Sequence, residues 1–147
     1  MNFFGFKKKE NFILRFPNGQ TKLEGPLIDG KKEGLFTGYY ENGKKEAITE
    51  FKNDLVNGIS IMWYENGQKE EEGNMKDGKA EGKWTYYHEN GQKSSQNYYK
   101  NGISNGLCIS WYSNGKKESE GMSKNHYPTG KWTYYHPDGS VQQVKEW

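Results

Sequence analysis

The sequence predicts an all-β protein: an elongated, twisted, single-layer antiparallel meander of about six β-hairpin repeats, each 24 residues long. Three periodic series lead to this fold class. Asn-Gly occurs at Asn18-Gly19, Asn42-Gly43, Asn66-Gly67, Asn90-Gly91 and Asn114-Gly115, and Asp138-Gly139 completes the series at the same spacing. A second series, Gly34, Gly58, Gly82, Gly106 and Gly130, keeps that step, and a weaker one runs through Gly30, Asp54, Gly78, Gly102 and His126. Self-similarity at one fixed period is the signature of repeat architecture. No run of helical length carries a 3.6-residue period, and the Gly/Asn punctuation would break one.

Taken from the N-terminus, residues 1–9 form a separate segment and 10–147 one repeat domain, with units starting near 10, 34, 58, 82, 106 and 130. The first segment runs Met1, Asn2, Phe3, Phe4, Gly5, Phe6 before Lys7, Lys8 and Lys9. A signal peptide places its charge before the apolar stretch, so this order predicts no secretion signal and a cytoplasmic protein. Within each unit an aromatic and β-branched run precedes the Asn-Gly: Ile59 to Tyr64, Trp84 to His88, Leu107 to Tyr112, Trp132 to His136. Asn-Gly between such runs predicts a type I′ hairpin turn, in which both central residues take positive φ. A polar run such as Lys93 to Lys100 follows, then the next turn. Roughly 12 strands at ~4.7–4.9 Å would extend about 55 Å, with equivalent residues of neighbouring units about 9.5 Å apart.

Composition excludes several classes. Leu, Ile, Val and Phe make up only 23 of 147 residues, yet aromatics reach 16% and the net charge is +2. Disordered chains are charged and poor in aromatics, so a fold buried largely by Tyr and Trp is expected. No run approaches the ~20 apolar residues of a membrane helix. Near-balanced charge argues against a nucleic-acid partner, which selects a basic patch. The single cysteine, Cys108, excludes an internal disulfide framework.

A longer period of 48 residues overlies the shorter one: Gly82-Lys83-Trp84-Thr85-Tyr86-Tyr87-His88 recurs from Gly130 to His136, and Gly58 to Tyr64 resembles Gly106 to Tyr112. Five residues after each leading glycine stand Tyr39, Trp63, Tyr87, Trp111 and Tyr135; six after stand Tyr40, Tyr64, His88, Tyr112 and His136. Strand neighbours point to opposite faces. The fifth-position ladder is therefore expected to share a core face with Ile59, Ile61, Leu107 and Ile109. The sixth-position ladder would lie on the other face with Met62, Trp84, Tyr86, Trp132 and Tyr134.

The pattern Gly-x-Trp-x-x-Tyr-x-x-Asn-Gly-x-Lys from Gly82 to Lys93, with Tyr-Glu-Asn-Gly-Gln-Lys at 64–69, resembles the variant class of MORN repeats. The resemblance runs from about Phe12 to Trp147. It departs most in the first unit, where Arg15-Phe16-Pro17 replaces the aromatic pair, as a capping repeat would. The resemblance implies a β-hairpin scaffold without catalytic activity. It also implies kinship with YwqK-type antitoxins, immunity partners of toxins, and with classical MORN proteins that associate with acidic lipids.

Candidate chemistry is sparse. His88 and His136 would sit about 19 Å apart, four strand spacings, too far to converge on a metal or substrate. Cys108 has no adjacent histidine to activate it. Glu70, Glu71, Glu72, Glu118, Glu120 and Asp77 read as solvated strand charge, with a cation or basic partner as the sharper alternative. No catalytic residue, metal or cofactor is expected. Tyr, Trp and Met are enriched at interfaces, so the face bearing Tyr64, Tyr86, His88, Tyr112, Tyr134 and His136 is the candidate partner-binding surface, with plain packing equally open. The function expected is a protein-binding module, with a cognate toxin as the most concrete partner. The alternatives are an adaptor for acidic lipids and a generic scaffold.

Overall fold

The computed structural model describes residues 7–147; Met1 to Phe6 of the N-terminal segment lie outside them. Strands follow one another along the chain: β1 (Lys9–Arg15), β2 (Thr21–Ile28), β3 (Lys31–Lys32), β4 (Gly34–Tyr39), β5 (Lys45–Lys52), β6 (Leu55–Trp63) and β7 (Lys69–Lys76). The second half continues with β8 (Lys79–Tyr87), β9 (Lys93–Lys100), β10 (Ile103–Trp111), β11 (Lys117–Lys124), β12 (Tyr127–Tyr135) and β13 (Val141–Glu146). All join one antiparallel sheet in sequence order, with the two-residue β3 paired to β2 beside the main path. No helix occurs among the described residues. The expected meander is what forms, and its sheet stays open between edge strands β1 and β13.

A single layer buries little. Among the described residues Phe36 and Trp84 are the buried hydrophobic side chains, while Leu35, Leu55 and Tyr127 are half exposed or more. The accessible surface of 9618 Å² exceeds the roughly 7,800 Å² of a compact monomer of this mass.

The turns differ from expectation in an informative way. At the Asn-Gly hairpins only the glycine takes positive φ (Gly67 at 90°), not the Asn. Gly67 N–H donates to Tyr64 O, and Tyr64 N–H to Gln68 O. This is a three-residue loop: a type I turn, then a left-handed glycine that opens a bulge. Asn66 is selected for its side chain, whose Oδ1 accepts the Gln68 N–H at 2.8 Å, and the same bond recurs at Asn18, Asn42, Asn90, Asn114 and Asp138. The type I′ turns lie at the other edge, in the weaker series. Both residues are left-handed at Asn53 (50°) and Asp54 (67°), and at Asn125 (53°) and His126 (69°). Asp54 and His126 stand there without glycine because their side chains accept the N–H of Lys32 and Ser104.

The middle glycine series makes bulges inside strands. Between Thr49↔Ser60 and Phe51↔Val56, Glu50 alone opposes Asn57, Gly58 and Ile59, with Gly58 at φ 129°. One repeat on, Gly73 alone opposes Gly82, Lys83 and Trp84. There the Trp84 ring lies flat against Gly73, where a Cβ would overlap it; Phe36 covers Gly25 and Trp132 covers Gly121 in the same way. Trp84 Nε1 donates to Asn74 O at 3.0 Å and Trp132 Nε1 to Met122 O at 2.9 Å.

This packing corrects the expected core face. The buried rings, Phe36 and Trp84, stand two residues after the bulge glycine, on the Trp84 face. Ile59 and Leu107, assigned to the core face by parity, are 39% and 38% exposed. Parity predicted which residues share a face, but glycines at 25, 73 and 121 let rings lie down on the opposite one.

Candidate protein-binding face

The Asn-Gly loop fixes register, and the register builds a ladder of alternating aromatic and lysine side chains. Tyr39 pairs with Lys45, Trp63 with Lys69, Tyr87 with Lys93 and Trp111 with Lys117. Lys69 Nζ lies 5.7 Å from the Tyr87 ring centroid and Lys93 Nζ 6.0 Å from that of Trp111, within cation–π range.

Alternate rungs carry a carboxylate. Tyr87 Oη donates to Glu72 at 2.5 Å, and Lys69 Nζ reaches the other oxygen of the same carboxylate at 2.7 Å. Tyr135, Glu120 and Lys117 repeat the arrangement, and Tyr39 donates to Glu24. The hydrogen bonds from lysine and tyrosine hold the Glu72 and Glu120 carboxyls below their usual range. Burial, then the bond to Glu72, pushes the Tyr87 phenol up to about 12. Between these rungs a groove of about 340 Å³ opens over Ile59, Ile61 and Thr85, walled by Lys83, Glu72, Tyr87 and Lys93.

The six residues singled out from sequence are held in three different ways. Tyr64 Oη donates to Tyr87 O at 2.7 Å, Tyr112 Oη donates to Tyr135 O at 2.8 Å, and the His88 ring bonds Trp111 O at 2.8 Å through Nε2. Each ties its repeat to the backbone of the next, as Tyr40 does to Trp63. Tyr86 and Tyr134 stack on Trp84 and Trp132 with centroids 6.2 Å apart. Tyr86 Oη also lies 3.4 Å from Tyr99 Oη, and burial above all raises its phenol pKa. The His136 ring, last of the ladder, is exposed and makes no hydrogen bond among the described residues. The structure thus gives five of the six an internal partner, and the aromatic–lysine face was missed. Its signal was present in the Asn-Gly-x-Lys phrase, since the loop sets that lysine opposite the fifth-position aromatic.

The acidic residues also sort themselves. Glu72 and Glu120 are bonded as described, Glu71 is half-buried with its carboxyl pushed up by desolvation, and no cluster among the described residues could hold a metal ion. Cys108 faces Ser104 and Ser123 hydroxyls at 3.6 and 3.4 Å, a small polar contact in the position that Trp84 fills elsewhere.

Consecutive copies of the MORN repeat variant match residues 32–53, 56–77, 80–101, 104–125 and 128–147. The chain belongs to the MORN repeat variant family. Each matched MORN repeat from 56 onward is one hairpin around an Asn-Gly or Asp-Gly loop, preceded by a type I′ turn. The β1–β2 hairpin lies outside the matched copies but keeps the same loop at Asn18-Gly19. No curated protein matches the chain. MORN repeats generally serve as binding modules rather than enzymes.

Proposed function

We propose that the protein is an immunity protein of the YwqK antitoxin type: a non-catalytic cytoplasmic module that binds a cognate toxin and neutralises it by occlusion. The observation that carries this reading is the uncovered sheet. One layer with so few buried side chains leaves aromatic, aliphatic and lysine groups facing outward along its whole length. Extended exposed patches of this kind mark partner sites. Family membership supports a binding role, and the kinship with YwqK-type antitoxins that the MORN-variant resemblance implies favours a toxin as the partner.

Co-expression with the product of the adjacent gene tests it. Restored growth and a stable complex on size-exclusion chromatography are expected. Unrelieved toxicity together with salt-sensitive sedimentation on anionic liposomes would overturn it in favour of a lipid adaptor.

A further inference from the structure

The Tyr–Glu bond beside the groove recurs in every second repeat, and the residues around its copies differ most in charge. Tyr39, Tyr87 and Tyr135 donate to Glu24, Glu72 and Glu120 at 2.6, 2.5 and 2.6 Å. The residue four before each tyrosine and the residue across from it are Leu35 and Lys45 in the first copy. They are Lys83 and Lys93 in the second, and Lys131 and Val141 in the third. Lysine fills both positions only in the middle copy.

Their charge is only partly offset in the fold: Lys83 acts on Glu72 from beyond contact distance, and Lys93 lies over the Trp111 ring. Glu72 is engaged by Lys69 and Tyr87, and neither Lys83 nor Lys93 forms an ion pair among the described residues. Both are exposed, and the groove they line reaches an aliphatic side formed by Ile59 and Ile61 on β6, two strands from Lys83. Two ammonium groups with no carboxylate in contact, beside an aliphatic wall, favour a carboxylate next to an aliphatic group, because docking a partner on the groove would exclude water and strengthen the pair. The groove also lies mid-sheet, with several strands on either side, where the dominant contacts of an interface concentrate.

We infer that the middle groove receives an acidic side chain of the protein partner between Lys83 and Lys93, with its aliphatic neighbour seated on Ile59 and Ile61. This rests on the protein-binding reading above and specifies the partner's chemistry.

The test uses the full chain and two blocked peptides, Ac-Ile-Glu-Asp-Leu-amide and Ac-Ile-Gln-Asn-Leu-amide, titrated by ¹⁵N correlation NMR. The acidic peptide is expected to shift amides of β6 to β9 and to bind at least tenfold more tightly than its amide counterpart. Lys83→Gln with Lys93→Gln is expected to abolish that difference at an unchanged melting midpoint, while Lys45→Gln with Lys131→Gln leaves it within twofold. Equal binding of the two peptides, or equal losses in both double variants, overturns the assignment. So does preferential binding of phosphatidylserine vesicles that the first double variant loses, which would assign the lysines to lipid phosphate. If the peptides are not distinguished but the wild-type chain still neutralises the toxin, the groove assignment falls and the binding-module reading stands.

Discussion

Repeats 32–53, 80–101 and 128–147 share their loops with repeats 56–77 and 104–125, yet the two sets place their bulk on opposite faces. The first set lays Phe36, Trp84 or Trp132 over a glycine of the preceding strand and puts a glutamate-bonded tyrosine on the other face. The second set has Ser60 or Cys108 where the ring would be, Glu50 or Tyr98 where the glycine would be, and Trp63 or Trp111 on the ladder face. A single-layer sheet has no second layer to bury its rings, so it buries them against its own backbone. Only a glycine opposite the bulge admits this, and the structural unit becomes 48 residues rather than 24.

The largest expected effect tests that contrast. Gly73→Val drives a branched side chain into the Trp84 ring and should cost about 3 kcal/mol or more, through lost ring burial and overpacking. Glu50→Val, at the equivalent position of the ring-free repeat, loses the bond to Ile59 N–H at 3.2 Å and should cost no more than about 1.5 kcal/mol. Urea denaturation of the two variants gives the comparison directly, and equal losses would remove the distinction between the sets.

A second contrast sets one sheet edge against the other. Gly91→Val at an Asn-Gly loop, φ 82°, should cost about 2 kcal/mol, since a β-branched residue tolerates the left-handed region poorly. Gly102→Asn at a type I′ turn, φ 79°, should cost less than about 1 kcal/mol, because Asn is the best tolerated non-glycine residue there and Asp54 and His126 already occupy equivalent places. Both are read from unfolding midpoints.

Smaller still, Tyr112→Phe removes the hydroxyl that reaches Tyr135 O and should lower stability by about 0.5–1.5 kcal/mol. Amide exchange of β12 and β13 should rise while that of β4 to β6 stays put.

The smallest effect is electrostatic. Glu72 and Glu120 carboxyls are depressed by their lysine and tyrosine bonds. Their contribution is in place above the unfolded carboxyl value of 4.5 and is lost as pH falls through the folded value. Glu71 is raised by burial, so its contribution has the opposite sign and fades as pH climbs above 4.5. An acid titration of Glu72→Gln should show a shallower decline below that pH than wild type, and Glu71→Gln should be slightly more stable than wild type at neutral pH.

The sequence made the repeat, its period and the hairpin edges legible because Asn-Gly and the bulge glycines each impose a local conformation. It did not reveal which turn carries two left-handed residues: Asn66 and Asn101 are each followed by glycine, and the loops differ in length and in the Asn66 Oδ1 bond to Gln68 N–H. Nor could parity show that Trp84 would outrank Trp63 in burial, since that depends on Gly73 in another strand. The sixth-position ladder looked like a surface because its residues are aromatic and polar-tipped. Those polar tips are what Tyr64, His88 and Tyr112 spend on the neighbouring repeat's backbone.

Thermal unfolding of Trp84→Ala beside Trp63→Ala tests most directly the claim that rings lying on glycine form the packing face and leave the ladder face for recognition. Trp84 is 5% exposed, and its removal should cost about 3–5 kcal/mol, with Trp63→Ala losing clearly less. A Trp63→Ala variant as destabilised as Trp84→Ala, or more so, would contradict the account and return the core to the fifth-position face.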